Sequence, residues 1–363
     1  CALPIFQNRA TGNYSTISNG YKNVTTGNAS TISGGYTNTA SGACSFVGGG
    51  QSNTASGCAS AIAGGASNTA SSRMGFAVGC ANTASGNWAS SVVAGRSNIA
   101  CGDDSIAGGI CTCATNHRSV AFGEYNTASG YNAGALSGAS NLASGYRSVV
   151  GGGASNCATN NYSVVTGGNN SRATGQYSTV SGGYNNTATG YMSTVGGGCV
   201  NCSYGQSAGT FSGRYNSSSG TYSFVGGGFN NKNSGYSSTI SGGYRNTVCS
   251  TSDLVTIGGG MCNTAYDCAS TISGGFCNTA SNRYTTIGGG FCNISSGCAS
   301  AILGGNCNNT CNYACAMIVG SNINANRACT TFVNKLSIMN IPTSCVGLPS
   351  GSVWSDSGVL KIV

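Results

Sequence analysis

Residues able to do chemistry are few in this chain, apart from one type. Glu124 is the only glutamate, His117 the only histidine, and Asp103, Asp104, Asp253, Asp267 and Asp356 are scattered. No two carboxylates are spaced for glycoside hydrolysis, and no base stands by motif beside a nucleophile. His117, in "ATNHRSV", reads as an exposed turn residue. An enzyme is therefore not expected, and no cofactor is implied. Cysteine is the exception, with 21 copies. They form no CxxC…CxxC zinc pattern, and with histidine nearly absent a metal array is not expected. Cys262, Cys277, Cys292 and Cys307 instead fall fifteen residues apart, and Cys58, Cys268 and Cys298 share a second phase. This spacing predicts a column of thiols, a candidate disulfide ladder. Neighbours about 4.8 Å apart lie inside the Cα range of a disulfide, although parallel side chains hold the Cβ atoms slightly too far apart. Some bridges, within or between chains, are expected, while Cys157 and Cys249 read as free small apolar residues.

Two further series could bind a partner. Aromatics recur at one phase as Tyr21, Tyr36, Tyr184 and Tyr244, joined by Phe229, Phe276 and Phe291, and at another as Tyr131, Tyr146, Tyr191 and Tyr236. Two readings stand: the rings clamp neighbouring repeats or fill a seam between protomers, or they present a face to glycans or a host receptor. "TAS" recurs with Thr39, Thr54, Thr69, Thr127, Thr187 and Thr279, and alternation turns each Thr and the Ser two residues on to the same outer face. Sequons at Asn13, Asn23, Asn28, Asn161, Asn169, Asn185, Asn201, Asn216, Asn293 and Asn308 sit at what read as accessible turns.

What must position these residues is a repeat. Asn38, Asn53 and Asn68 are fifteen apart, and the ruler runs from Asn8 to about residue 323, giving about 22 coils. Steps of 14 and 16 residues surround Asn82 and Asn98, two 14-residue steps pass through Thr112, one of 17 separates Asn246 from Asn263, and Ser171 replaces one Asn. Six residues before the Asn the chain is apolar, as in Ile32, Val47, Ile62, Val180, Ile240 and Ile272, with Ile106 and Val120 counted in the same row. Two after it stands Ala, as in Ala40 and Ala55. A large β-branched residue facing a small one suits a thin coil of two short strands. The Gly pairs such as Gly34–Gly35, and the Gly after "TAS" such as Gly42 and Gly57, are expected at corners needing positive φ. The fold class expected is all-β: a parallel β-roll or solenoid, with a lead-in over 1–7, the repeat domain over 8–329 and a C-terminal cap over 330–363.

The remaining composition narrows the class. Only 6% of residues are charged, with a formal net charge of +8 from Lys and Arg spread singly. Nucleic-acid binding would need them clustered among aromatics, so none is expected. Arg9, Lys22, Arg172 and Arg245 lie within one residue of a repeat Asn and read as solvated corners. No run of about 18 apolar residues is present, so no membrane insertion is expected. The chain opens at Cys1 without a signal-like segment, which reads as a mature or truncated start, with a lipid-modified cysteine the alternative. The Gly-rich stretches lack the Asp of calcium-binding rolls.

Coils reading "ASTISGGYTNTASG" resemble the head repeats of YadA-type trimeric adhesins, over roughly residues 8–329. That resemblance implies a left-handed parallel β-roll assembled as a homotrimer. The sequence departs from the family in writing "STISGG" where it has "SVAIG", in its 15-residue step and in its cysteines, and it shows neither heptad stalk nor anchor strands. "LSIMNIPTSCVGLPSGSVWSDSGVLKIV" (336–363) looks like the end domains of phage and virus fibre proteins. Leu336, Ile338, Val353, Trp354, Leu360 and Ile362 are expected to cover the last coil's open edge. The Thr-x-Ser rows resemble the flat arrays of ice-binding solenoids. The function expected is a structural and attachment fibre, extracellular on a virion surface or cell-surface appendage. Its expected partners are itself, a host receptor or glycan, and other virion or fibre proteins. The head of a bacterial surface adhesin and an ice-binding solenoid are the alternatives.

Overall fold

The computed structural model describes residues 7–363 apart from Ile338 and Ser357. Residues 1–6 of the expected lead-in, and Ile338 of the expected cap, lie outside the described residues. The chain is a parallel β-solenoid of about 22 coils with a repeat of about 15 residues, and no helix occurs among the described residues. Most coils contribute one two-residue strand to each of two stacks, and a few carry longer strands in the second, up to the six residues of Ala61–Ala66 and Ser91–Arg96. In one, strands such as Thr39–Ala40 pair in register with Thr54–Ala55 and so on through 20 strands. In the other, strands such as Thr31–Ile32 pair with Phe46–Val47 through 22 strands. At about 4.8 Å per coil, the stack is a rod on the order of 100 Å long.

Alternation decides which side chain enters the thin interior. Ile32, Val47, Ile62, Val180, Ile240 and Ile272 are fully buried from one stack, and Ala40, Ala55, Ala70 and Ala188 from the other. Ile106 and Val120 correct this pattern: they are only half-buried, and Ala107 and Ala121 point inward in their place. The cause is a one-residue shortening of the corner in the coils ending at Asn82, Thr112 and Asn126. Counting six back from the ruler there lands on the outer face. The same coils carry the longer strands Phe76–Cys80, Ile106–Ile110 and Val120–Glu124. The apolar core is also interrupted between Val195 and Val225. Thr210, Ser203, Ser218 and Asn233 are buried there and hydrogen-bond backbone carbonyls such as those of Cys202, Ala208, Ser223 and Ser238.

The corners depend on conformations the sequence assigns to other residues. Each coil places two non-glycine residues in the left-handed region, one before the ruler Asn and one usually six after it, such as Thr37 (φ 55°) and Cys44 (φ 58°). The left-handed turn reverses the amide: Thr37 N donates back to Tyr21 O at 3.0 Å, whereas Thr39 N donates forward to Asn53 O at 2.8 Å. Gly35 does take positive φ (100°). Gly42 and Gly57 do not, which corrects the expectation for them. A Cβ on Gly42 would lie 2.0 Å from Gly57 O, so glycine is required there by close backbone approach.

The ruler asparagines are the largest departure from expectation. They are buried. Asn38 Oδ1 accepts the N–H of Asn53 at 3.0 Å, and its Nδ2 donates to Gly34 O at 3.1 Å and Gly50 O at 2.9 Å. The same pattern recurs along most of the rod; where Asn is missing, the N–H groups of Thr112 and Ser171 still donate to Asn98 and Asn156 Oδ1, but the Ser171 hydroxyl does not continue the ladder. Of the sequons, Asn23, Asn201, Asn216, Asn293 and Asn308 are therefore inaccessible in the folded chain, while Asn13, Asn28, Asn161 and Asn169 are exposed.

At the C-terminus the solenoid extends beyond residue 329, because Thr331–Val333 pairs in parallel with Met317–Val319. Beyond it, Val353–Asp356 and Val359–Ile362 form an antiparallel hairpin. Leu336, Leu360 and Ile362 are more than half exposed, and Val353 is exposed too. They do not form the buried lid expected for the last coil.

Candidate functional surface

Among the described residues no pocket opens, and the features that stand out lie along the outside of the rod. The corner about five residues beyond the ruler Asn is built from left-handed turns stacked in register, and each turn projects one side chain. The result is a column of six rings over successive coils. His117 and Tyr131 are 5.9 Å apart, Tyr131 and Tyr146 stack at 5.5 Å, and Tyr146 meets Tyr162 edge-on at 5.4 Å. Tyr162 stacks on Tyr177 at 5.0 Å, and Tyr177 meets Tyr191 edge-on at 5.7 Å. Tyr236 belongs to a separate pair with Tyr222, at 5.7 Å. Both stacked and edge-on geometries are favourable for aromatic quadrupoles.

The sequence-based series caught Tyr131, Tyr146, Tyr191 and Tyr236 but missed His117, Tyr162, Tyr177 and Tyr222. The last three stand one residue further on, at the left-handed position (φ 56–58°). Neighbouring positions of one corner can feed the same column, so a fixed offset breaks it. At the other corner Tyr21 stacks on Tyr36 at 5.6 Å, and Tyr244 on Phe229 at 5.3 Å. Tyr184 is flanked by Asn169 and Cys199 and stands outside any ring stack. Packing of rings between neighbouring coils and exposure therefore coexist: Tyr36, Tyr191 and Tyr236 each meet a neighbouring ring yet remain exposed, and Tyr184 is exposed without one.

Cations accompany the rings. Arg147 lies over Tyr146 at 5.1 Å and Tyr162 at 5.8 Å, Arg245 over Tyr244 at 5.1 Å and Lys22 over Tyr21 at 5.3 Å. His117 Nδ1 is 3.7 Å from Asp103. Burial alone would raise the Asp103 carboxyl, but the N–H groups of Asn87 and Trp88 donate to it and hold it below the usual carboxylate range. Tyr204 is pushed up to about 12 by its hydrogen bond with Cys202 and by burial.

The outer face of the Ile/Val-bearing stack is a second feature. It exposes Phe46, Val93, Leu136, Phe211, Phe224 and Leu303. Beside them runs a row of glycines four before the ruler Asn. At Gly64, Gly167, Gly182, Gly259, Gly274 and Gly304 an added Cβ would meet nothing within 4 Å, and none of these takes positive φ. At these six neither φ nor crowding inside the chain requires glycine, whereas Gly49, Gly197 and Gly289 of the same row take φ of 155°, 157° and 150°, and a Cβ on Gly152 or Gly227 would lie 2.5 Å from a serine Oγ.

The twenty described cysteines are free thiols, including Cys262, Cys277, Cys292 and Cys307, so the expected bridges are not formed in this structure. No family model matches the chain, and no curated protein matches it either.

Proposed function

We propose that this chain is one protomer of a homotrimeric fibre exposed on a virion surface, which attaches to host glycans or a glycan-bearing receptor through its aromatic columns. The observation that carries the reading is the run of six rings from His117 to Tyr191 along one corner of a rod that opens no pocket among the described residues. An extended glycan can lay successive sugar faces on such a column while Arg147 meets its oxygens. The resemblance of the coils to YadA-type head repeats, and of residues 336–363 to fibre ends, is in keeping with this reading.

The trimer is supported by the apolar face and its glycine row. Glycine loses more conformational freedom on folding than any other residue, and exposed apolar side chains gathered on one face are what an interaction surface presents. A second copy packed closely on that edge gives both features a reason. Light scattering on the purified chain should give three times 35.7 kDa. Gly182→Ala with Gly274→Ala should shift it towards monomer with the β-sheet circular dichroism unchanged. For attachment, a glycan array should show binding that Tyr146→Ala with Tyr162→Ala reduces at least tenfold while the melting temperature moves little. A chain that is monomeric and binds no glycan would overturn the reading.

A second reading, an ice-binding solenoid, is favoured by the in-register neighbours Thr39, Thr54, Thr69 and Thr83 and by Thr239, Thr256, Thr271 and Thr286. Thermal hysteresis from a monomeric sample would select it. The head of a bacterial adhesin would share the trimer and differ in what the rod projects from, which electron microscopy of the native particle resolves.

A further inference from the structure

Cys262, Cys277, Cys292 and Cys307 stand immediately before the ruler Asn of four successive coils. All four occupy the left-handed region, with φ of 58°, 54°, 52° and 52°. Their backbones are in register: Cys277 N donates to Met261 O, Cys292 N to Phe276 O and Cys307 N to Phe291 O, each at 2.9 Å. The preceding residues Met261, Phe276, Phe291 and Asn306 bridge one another in parallel. Matching backbone torsions in matching register set the four Cβ atoms at the coil spacing of about 4.8 Å, which brings neighbouring sulfurs within reach of one ion. The Cys277 thiol lies within interaction range of the thiols of both Cys262 and Cys292. The column is reachable from solvent, since three members are half-buried and Cys307 is exposed.

This spacing suits one chemistry better than another. A disulfide needs sulfurs about 2.05 Å apart and Cβ atoms about 3.8 Å apart, so parallel copies must be pulled together and rotated out of equivalence. Two metal–thiolate bonds of about 2.3 Å set end to end span about 4.6 Å, which needs almost no movement. Soft thiolates favour copper(I), zinc and iron–sulfur clusters, and of these copper(I) is the one satisfied by two ligands. Among the described residues no three His, Cys, Asp or Glu groups could hold a metal ion together, so a column of pairs can offer two ligands and not a tetrahedral cage.

We propose that the column from Cys262 to Cys307 is a binding site for a soft monovalent cation of the copper(I) or silver(I) class, held two-coordinate between thiolates of successive coils. Binding is not a redox step. Each ion forms two metal–sulfur bonds and releases two thiol protons to solvent, leaving a bis-thiolate complex of charge −1. Four thiols take two ions, one between Cys262 and Cys277 and one between Cys292 and Cys307.

The test uses the full, reduced chain under argon, titrated with silver(I), then dialysed against a competing soft ligand and assayed for retained silver by atomic emission. The wild-type chain should retain two more ions than a variant carrying Cys→Ser at all four positions. Cys277→Ser alone should lose one ion, which keeps the proposal testable if the fourfold variant folds poorly. Cys80→Ser with Cys345→Ser, which removes two thiols outside the column, should change nothing. Equal retention by wild type and Cys277→Ser would overturn the proposal. So would mass spectrometry of the chain as isolated showing Cys262–Cys277 or Cys292–Cys307 disulfides, since the column would then be a covalent ladder.

Discussion

A ruler asparagine closes three hydrogen bonds at once from a fully buried position. Asn201 Oδ1 accepts the N–H of Asn216 at 2.9 Å, and its Nδ2 donates to Gly197 O at 2.7 Å and Gly213 O at 2.9 Å. Asn201→Ala strands one donor, the Asn216 N–H, and one acceptor, Gly197 O, each costing about 1–3 kcal/mol when buried, while Gly213 O keeps the N–H of Cys199 at 3.0 Å. Part of that is relieved by relaxation, and urea denaturation should show a loss of about 2–4 kcal/mol. Ser171 is the converse case. Its Oγ is buried without a partner, so Ser171→Asn should restore the ladder and gain about 1 kcal/mol in the same assay. The thiols set a pH limit. Burial raises Cys113, Cys249 and Cys277, with neighbouring thiols adding to Cys113 and Cys277; neighbouring Cys329, ahead of burial, raises Cys315. A folded pKa above the unfolded value gives stability that is complete below the unfolded pKa, about 8.5 for a thiol. It is lost as pH rises through the folded value. The melting temperature should therefore stay level to about pH 8 and fall above pH 9, and a steady or rising profile there would contradict the assignment.

The coil is the element, and its two kinds of position tolerate change differently. Corners absorb length, as the coils ending at Asn82, Thr112 and Asn126 show, while strands do not, because one residue reverses every face. Deleting Gly182 reproduces a corner the chain already uses elsewhere, and should leave the circular dichroism unchanged with a modest fall in melting temperature. Deleting Thr187 from the strand Thr187–Ala188 turns Ala188 outward, and should abolish cooperative unfolding. The period and the inward rows at Ile32 and Ala40 were legible in the sequence because alternation and size leave few alternatives for a thin coil. The role of Asn38 was not. Asparagine is the residue most at home in exposed turns, and a period alone cannot say whether a repeated polar group faces water or its own copies. The ring column was half legible. Tyr131 and Tyr146 keep a fixed offset, whereas Tyr162 and Tyr177 reach the same corner from the next residue.

For the whole molecule, direction matters more than size. The exposed features run lengthwise: rings from His117 to Tyr191, the glycine row, and the thiols from Cys262 to Cys307. A long partner can therefore engage many weak sites at once, and a short one very few. The backbone hydrogen bonds between coils also lie along the rod. A pull from end to end would load them one layer after another, as in a zipper, so the strength of the rod is that of its weakest layer. The oversized coil between Asn246 and Asn263 and the one whose ladder is broken at Ser171 are the first to yield. In a single-molecule pulling experiment the chain should lengthen in steps of about 45 Å, one coil's contour less its rise, at low and nearly constant force. An object built this way gives ground gradually under tension and can wind back when the load is released.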